Sequence, residues 1–448
     1  MAGAALDQSG DSRADAGGRR HAVDLLLRRV HRARWPAGAD PLVSGADRIA
    51  PQPWMVDAST TRLLSALRAA GIGARFVGGC VRNALLGLAP GDLDIAVDKP
   101  PADVTRALQT AGIKVAPTGI AHGTVTAIVD KRPFELTTLR RDVETDGRRA
   151  VVAFTDDWRA DAARRDFTIN AMSCDASGVL WDYFGGQADL AERRVRFVGD
   201  PDTRITEDVL RVMRFFRFQA WYGRPPLDPD GLAACRRHAG KLSGLSAERV
   251  RAELLKLLDA PDPVDVVEAM AISGVFDHWL PRYQGTARLR DLIASERVVG
   301  EGDGLRRLVT LLDPTTDAAA FAKRLKFSTQ QSVRLEVMLA AEPVIDATDE
   351  KAVRQQVYRL GGALYIDRLL PRRGAANDEQ LRAAHRLARD WRVPELPIRG
   401  ADVIRAGVKR GPDVGALIEA VETWWIARDF APDRDACLAE LARLIAAR

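Results

Sequence analysis

The sequence predicts an α+β fold, with a strand-bearing N-terminal region followed by a remainder that is helical by pattern. Short apolar or alternating runs, bounded by glycines and turn residues, lie between residues 74 and 139. Beyond Val209, apolar residues recur at helical spacing in segments divided by Pro and Gly. No fixed-period repeat runs through that helical part, which excludes a solenoid. The 448 residues suffice for more than one domain and a substantial core.

Ala74-Arg-Phe-Val77 is short and apolar, like a buried strand. Gly78 and Gly79 follow, allowing a tight turn and close backbone approach to a ligand. Residues 81–88 read as a helix whose first N–H groups border that turn, an anion-binding arrangement. Arg82 lies on this helix. Residues 92–97 (Asp-Leu-Asp-Ile-Ala-Val) alternate as a strand does, so Asp92 and Asp94 are expected on one face. Two adjacent carboxylates are costly unless a cation sits between them. A phosphate cradle beside a dicarboxylate points to metal-assisted chemistry on a nucleoside triphosphate. The stretch is neither a P-loop nor a dinucleotide fingerprint: no Gly-Lys-Ser/Thr follows, and G-x-G-x-x-G is absent.

A third acid comes next. Residues 123–130 and 133–139 read as two strands joined by a short basic turn at Lys131-Arg132. Glu135, between Phe134 and Leu136, faces opposite to them. If its strand lies beside residues 92–97, Glu135 joins the aspartates and two divalent ions could be held. An outward-facing strand glutamate is the alternative. Residues 140–149 read as a charged, mobile surface loop. Arg164-Arg165-Asp166 then runs into a strand-like segment (Phe-Thr-Ile-Asn-Ala-Met172). An arginine here could hold phosphate oxygens and Asp166 could accept from a ribose hydroxyl, with a surface ion pair as the alternative.

Further on, Asp208, Arg211, Arg214 and Arg217 recur every third residue and form an inclined stripe on a predicted helix. Val209, Val212, Met213, Phe216 and Ala220 gather on the opposite, buried face. Phe215 and Phe218 fall nearer the arginines, where one could stack on a base or cover the surface there. An Asp–Arg pair offers acceptors and donors together, as a Watson–Crick edge requires. An amphipathic helix with solvated arginines is the alternative.

Taken together, Gly78-Gly-Cys-Val-Arg82, Asp92-Leu-Asp94, Phe134-Glu-Leu-Thr-Thr-Leu-Arg140 and Arg164-Arg-Asp-Phe-Thr-Ile-Asn170 resemble the class II nucleotidyltransferases. These comprise the bacterial and eukaryotic tRNA CCA-adding enzymes and the bacterial poly(A) polymerases. The resemblance continues through Val195-Arg-Phe-Val-Gly-Asp-Pro201, through residues 207–218, and through Leu245-Ser-Ala-Glu-Arg249 to Glu253, so it spans residues 74–258. It implies a sea-horse-like protein: a nucleotidyltransferase head (51–200) with a small mixed β-sheet, and a helical neck (201–265), body (266–375) and tail (376–448). It also implies that Asp92 and Asp94 bind Mg2+ with Glu135 assisting, and that Gly78, Gly79 and Arg82 hold the triphosphate. Arg165 and Asp166 match sugar- and phosphate-reading positions. Asp208 and Arg211 match the protein template that reads CTP or ATP, and Arg214 and Arg217 match further nucleotide-binding positions. Asn83 departs from the aspartate most often found after that arginine; if the acid orients Arg82, phosphate affinity is expected to be weaker.

The expected activity is CCA addition to tRNA. Poly(A) addition is the runner-up within the family, beside CC-only or A-only enzymes. The chain ends without a long Lys/Arg-rich extension, and Gly411-Pro-Asp-Val-Gly415 resembles the CCA enzymes, so tRNA is favoured. A catalytically silent RNA-binding protein would be expected to lack one of the three acids, and all are present. A transferase acting on a small molecule would not need Asp208, Arg211 and a large helical remainder.

A net charge of +5 suits an RNA partner. Four scattered cysteines without a C-x-x-C argue against a disulfide framework or zinc site and favour a reducing cytoplasm. His122, the one histidine within a motif region, is expected to shape a loop. No apolar run approaches membrane-spanning length, so no membrane partner is expected. Residues 1–50, rich in Gly, Ala, Asp and Arg, read as a disordered or loosely attached extension with one short helix at 23–30. A transit peptide is an alternative against which its aspartates weigh. Helices are expected at 247–258, 318–325, 332–341 and 379–391, then through Thr423-Trp-Trp-Ile426, whose tryptophans are expected to pack.

Overall fold

The structure, a computed structural model, describes residues 47–116, 123–146, 149–280, 282–340, 347–374 and 376–447; side chains within 142–152 lie outside the description. The chain divides into two compact units. Of the described residues, the first holds those up to Arg140 with Phe154–Ala162 and Ile169–Ala191, and the second holds those within 141–153, 163–168 and 192–447. The expectations for residues 1–46 and for His122 lie outside the described residues. Residues 47–50 are fastened to the first unit, where Ile49 N donates to Gly178 O at 2.7 Å and Leu180 N to Asp47 O at 2.9 Å.

The first unit is built on a seven-stranded mixed sheet in the order β3-β4-β5-β2-β1-β8-β9. The strands are β1 Ala74–Val77, β2 Asp94–Val97, β3 Lys114–Ala116, β4 Thr124–Val129, β5 Arg132–Thr138, β8 Ser173–Cys174 and β9 Leu180–Trp181. β2 and β5 run parallel and the other neighbours antiparallel. Period-two alternation gives the sheet one apolar face: Phe76, Ile95, Val97, Val125, Ala127, Phe134 and Leu136 are all buried. Helices α1 (Ala58–Ala69) and α3 (Pro101–Thr110) pack against the sheet and bury Leu63, Leu67, Val104 and Leu108. On the opposite face, Val77, Ala96 and Leu139 form a smaller cluster with Trp158 of α4 (Trp158–Ala163). The β4–β5 turn is Asp130-Lys131, with φ of 50° and 67°, the paired positive values of a two-residue hairpin turn.

Two local expectations are corrected. Residues 140–149 are not simply a loop: β6 (Arg140–Asp146) pairs with β7 (Arg149–Phe154) as a two-stranded sheet. The Asp146-Gly147 pair is a hairpin signal in the sequence that charge content obscured. The segment after Asp166 is a 3-10 turn, Thr168–Asn170, and only Ser173–Cys174 is strand. Its unbroken burial explains the misreading, because a short apolar run does not distinguish a strand from a buried turn.

Apart from the β6–β7 strands, the second unit's named elements are helical. Helices α5 (Pro201–Glu207), α6 (Leu210–Tyr222) and α7 (Ala247–Leu258) carry or flank several of its candidate site residues. Behind α6 lies an aromatic cluster in which Phe167 meets Phe197 at 4.9 Å and Phe218 at 5.2 Å, while Phe197 stacks on Phe215 at 5.6 Å. Further along, Glu296, Arg306, Arg307 and Asp367 form a buried ionic network, with Arg307 Nε donating to Glu296 at 2.6 Å. The helices expected toward the C-terminus form at Ala318–Arg324, Thr329–Leu339, Asp378–Asp390 and Pro412–Ala427. Trp425 is buried, as expected of a packing residue, and Trp424 is half-buried with Arg428 over its ring at 4.3 Å.

Candidate active site

In the first unit, β1 delivers the chain to Gly78, whose φ of 73° and ψ of −123° lie where a side chain would be strained. Helix α2 (Gly79–Leu85) follows, two residues earlier than the pattern suggested and ending three earlier. Arg82 is buried on α2. Its Nη1 donates to Asn170 Oδ1 at 2.5 Å, and Nε and Nη2 donate to Asn83 Oδ1 at 3.2 and 2.9 Å. Asn83 thus orients Arg82, the task considered for an acid at that position. Cys80 on the same helix is buried, and burial, with the charge of Asp94, pushes its thiol up to about 11. That keeps it protonated and unreactive.

Asp94 opens β2, and its register partner across the parallel β2–β5 ladder is Glu135. Both are exposed, whereas the next pair, Ile95 and Leu136, is buried. Asp94 and Glu135 therefore share the face that bears Ala96. The conditional expectation that Glu135 lies beside the aspartate strand is met. Asp92 differs from expectation: it sits in a bend before β2, so strand alternation does not align it with Asp94. Pro90 and Gly91, with φ of 70° at the glycine, hold the chain out of the ladder there. Among the described residues, no group of three or more His, Cys, Asp or Glu side chains is gathered to hold a metal ion. The donor chemistry nonetheless fits a hard divalent cation: all oxygen, two carboxylates two residues apart, and a third in register next door. Asp92 is exposed and lies outside the ladder.

In the second unit, Asp166 is buried and accepts from Arg214 Nε at 2.8 Å and from Phe167 N at 2.9 Å. Arg165 beside it is half-buried. Asp208 is not on the helix with the arginines. It is extended (φ −150°, ψ 104°) between α5 and α6, and its Oδ1 accepts from Leu210 N at 3.1 Å. An aspartate just before an apolar helical run is a helix-start signal that the three-residue spacing masked. Arg211, Arg214 and Arg217 do form the helical stripe. Arg211 Nη1 donates to Glu207 at 2.5 Å and to Arg204 O at 2.8 Å, and its Nη2 to Arg164 O at 2.9 Å.

Helix α7 faces this stripe. Its Arg249 donates to Asp208 Oδ2 at 2.7 Å. Its buried Glu253 accepts from Arg217 Nε at 2.5 Å and lies 3.8 Å from Arg214. Burial draws the Arg214 guanidinium down, but Asp166 and Glu253 outweigh that and hold its pKa above the ordinary value. Phe215 and Phe218 are buried within the aromatic cluster, so Phe215 covers rather than stacks; Val209 and Ala220 are only half-buried. Phe218 lies under Arg217 at 4.2 Å and Arg214 at 5.2 Å. Glu207, Arg249 and Glu253 fell within the resembling stretch without a role. Their i,i+4 spacing to one another (249 and 253) was the available signal.

Paired carboxylates on a mixed sheet, an oriented arginine after a glycine turn and a helical stripe of arginines define a nucleotidyltransferase. Comparisons with known proteins agree. Residues 74–196 match the poly A polymerase head domain, and residues 226–285 match the segment described as "Probable RNA and SrmB-binding site of polymerase A". The mitochondrial CCA tRNA nucleotidyltransferase 1 of Mus musculus is 35% identical over 383 residues, covering 82% of this chain and 86% of the relative. The CCA-adding enzyme of Streptococcus mutans is 31% identical over 386 residues, covering 84% and 94%. The CCA-adding enzyme of Bacillus stearothermophilus, solved in complex with CTP, superimposes with a TM-score of 0.72 at 27% identity, covering 87% and 98%. The chain belongs to the CCA-adding tRNA nucleotidyltransferase family.

Proposed function

We propose that this chain is a template-independent tRNA nucleotidyltransferase that adds CCA to tRNA 3′ ends from CTP and ATP. The observation that carries the reading is the in-register pair of exposed acids, Asp94 and Glu135, in a chain aligned over 82% of its length with a CCA enzyme. The CTP complex of the Bacillus stearothermophilus relative supports CTP as a substrate.

In this reading Asp92 and Asp94 would hold Mg2+, and Glu135 assists removal of the proton from the terminal ribose hydroxyl of the tRNA. A divalent cation held there would supply Lewis acidity to that hydroxyl and offset charge on the triphosphate. The hydroxyl oxygen attacks the α-phosphorus, and pyrophosphate leaves. Arg82 and the backbone amides of Gly78 and Gly79 hold the triphosphate oxygens. Arg165 and Asp166 hold phosphate and sugar. Asp208 and Arg211 read the base edge, with Arg214 and Arg217 completing the nucleotide contacts. Because Asp208 already holds Arg249 and Arg211 already holds Glu207, reading a base exchanges partners rather than adding bonds. That exchange favours discrimination over raw affinity.

We retain head, neck, body and tail as a working division, with boundaries near residues 200, 265 and 375. We propose a cytoplasmic location, because the four cysteines are free and buried, which suits a reducing compartment. The deciding assay supplies tRNA lacking CCA, Mg2+, and CTP and ATP singly and together. Ordered addition ending after one A is expected. A long A tail would instead assign poly(A) polymerase activity, and no incorporation with normal RNA binding would remove both enzymatic readings.

A further inference from the structure

Asn83 makes two side-chain contacts of opposite polarity. Its Oδ1 accepts from Arg82 Nε and Nη2 at 3.2 and 2.9 Å, while its Nδ2 donates to Ala89 O at 2.8 Å. Only one orientation of the amide satisfies both, because the reverse would set N–H against N–H and oxygen against oxygen. The main chain of Asn83 also holds this segment. Its carbonyl accepts from Leu88 N at 2.8 Å, and Gly87 N donates to Ala84 O at 3.1 Å with φ of 65° at Gly87, closing α2 in a Schellman turn. Ala89 lies three residues before Asp92, the carboxylate that has no strand ladder to hold it. One side chain therefore ties the phosphate-facing arginine to the loop that carries the first metal acid.

We infer that Asn83 is a positioning residue that couples Arg82 to the Asp92 loop, so that it tunes the metal requirement of nucleotide binding; this rests on the roles proposed above for Arg82 and Asp92. The coupling needs an amide. An aspartate could accept from Arg82 but has no donor for Ala89 O, and its negative oxygen would face that carbonyl. An alanine supplies neither contact. The two substitutions thus separate the two halves of the coupling.

The test compares wild type, N83D, N83A and D92A. CTP binding is measured by calorimetry without RNA, with and without Mg2+, alongside the Mg2+ dependence of CMP incorporation. Hydrogen exchange is followed at residues 86–92 without nucleotide, with thermal melts as folding controls. N83D should bind CTP within about twofold of wild type when Mg2+ is absent, but need about 3- to 10-fold more Mg2+ for half-maximal binding, the worth of one lost hydrogen bond. Exchange at residues 86–92 should quicken in N83D and N83A alike. N83A should additionally weaken Mg2+-free CTP binding by about 3- to 10-fold. An unchanged Mg2+ requirement and unchanged exchange in N83D would overturn the coupling. So would equal loss of Mg2+-free CTP binding in N83D and N83A. If D92A retained strong transfer, the underlying metal assignment would have failed instead, and N83D then distinguishes the two by its exchange profile alone.

Discussion

The acids of the first unit and the arginines of the second are prepared in different ways. Asp92 and Glu135 stand exposed, with no basic partner among the described residues. Arg211, Arg214 and Arg217 each hold a carboxylate, and Arg214 and Arg217 share the buried Glu253. A cation needs open lone pairs, so pairing those acids in advance would compete with it. A base edge needs donors and acceptors at fixed angles, so holding the arginines in advance limits their wandering. In the roles proposed for them, chemistry and selection would impose opposite demands on charged side chains, and each unit would meet one of them.

The contrast can be broken most strongly at the acids. Asp92→Ala should lower CMP and AMP transfer by about 10³-fold or more while leaving tRNA affinity nearly intact. Single-turnover incorporation and filter binding measure the two arms, and strong residual transfer would contradict the metal role. Stability should respond in the reverse sense. Glu253→Ala removes the carboxylate held by Arg217 and the second one beside Arg214, which keeps Asp166, and should cost about 3 kcal/mol in denaturant unfolding. Glu135→Gln, on an exposed face, should cost less than about 0.5 kcal/mol. Equal losses would erase the distinction between held and open charges.

A smaller effect tests selection itself. Arg211→Ala should narrow the CTP/ATP preference by about tenfold, roughly one good hydrogen-bonding contact, with a lesser change in triphosphate affinity. Steady-state discrimination at each addition step reads this directly, and unchanged selectivity would remove Arg211 from the template. The smallest expected effect is acid sensitivity in the second unit. Glu301 is held below the ordinary carboxylate value of 4.5 by its contact with His385 at 3.1 Å, against burial and with help from the Arg306 charge. Its folded pKa is the lower one, so its contribution is complete above about 4.5 and is lost as pH falls through the folded value. Glu301→Gln should flatten the acid limb of stability below about pH 4.5 by about 0.5 kcal/mol, since the carboxylate is partly exposed. An unaltered limb would remove Glu301 as its source.

What the sequence revealed followed its periodicities. β1, the β4–β5 hairpin and α7 were legible because local alternation or helical spacing encodes which side is buried. The exposure of Glu135 was legible for the same reason. Its pairing with Asp94 was legible only conditionally, since strand order is set by long-range contacts. The partners of the arginine stripe were not. Arg249 reaches Asp208 across 41 residues and Glu253 reaches Arg217 across 36, and periodicity does not say which charged face meets which. Asp92 and Asp208 were both misplaced by extending a regular element one or two residues too far. Each sits just outside its strand or helix, where the backbone leaves its regular path.

The parallel ladder between β2 and β5 has a consequence for how this protein tolerates change. Forty-one positions of chain separate Asp94 from Glu135, yet their spacing is fixed by ladder register rather than by that length. Insertions in the connections between these strands should therefore leave the acid pair intact. A slip of β5 by one residue would instead turn Glu135 into the apolar core and bring Phe134 or Leu136 to the face that bears Asp94. Evolution or a designer is free to lengthen the loops, but not to renumber the strand.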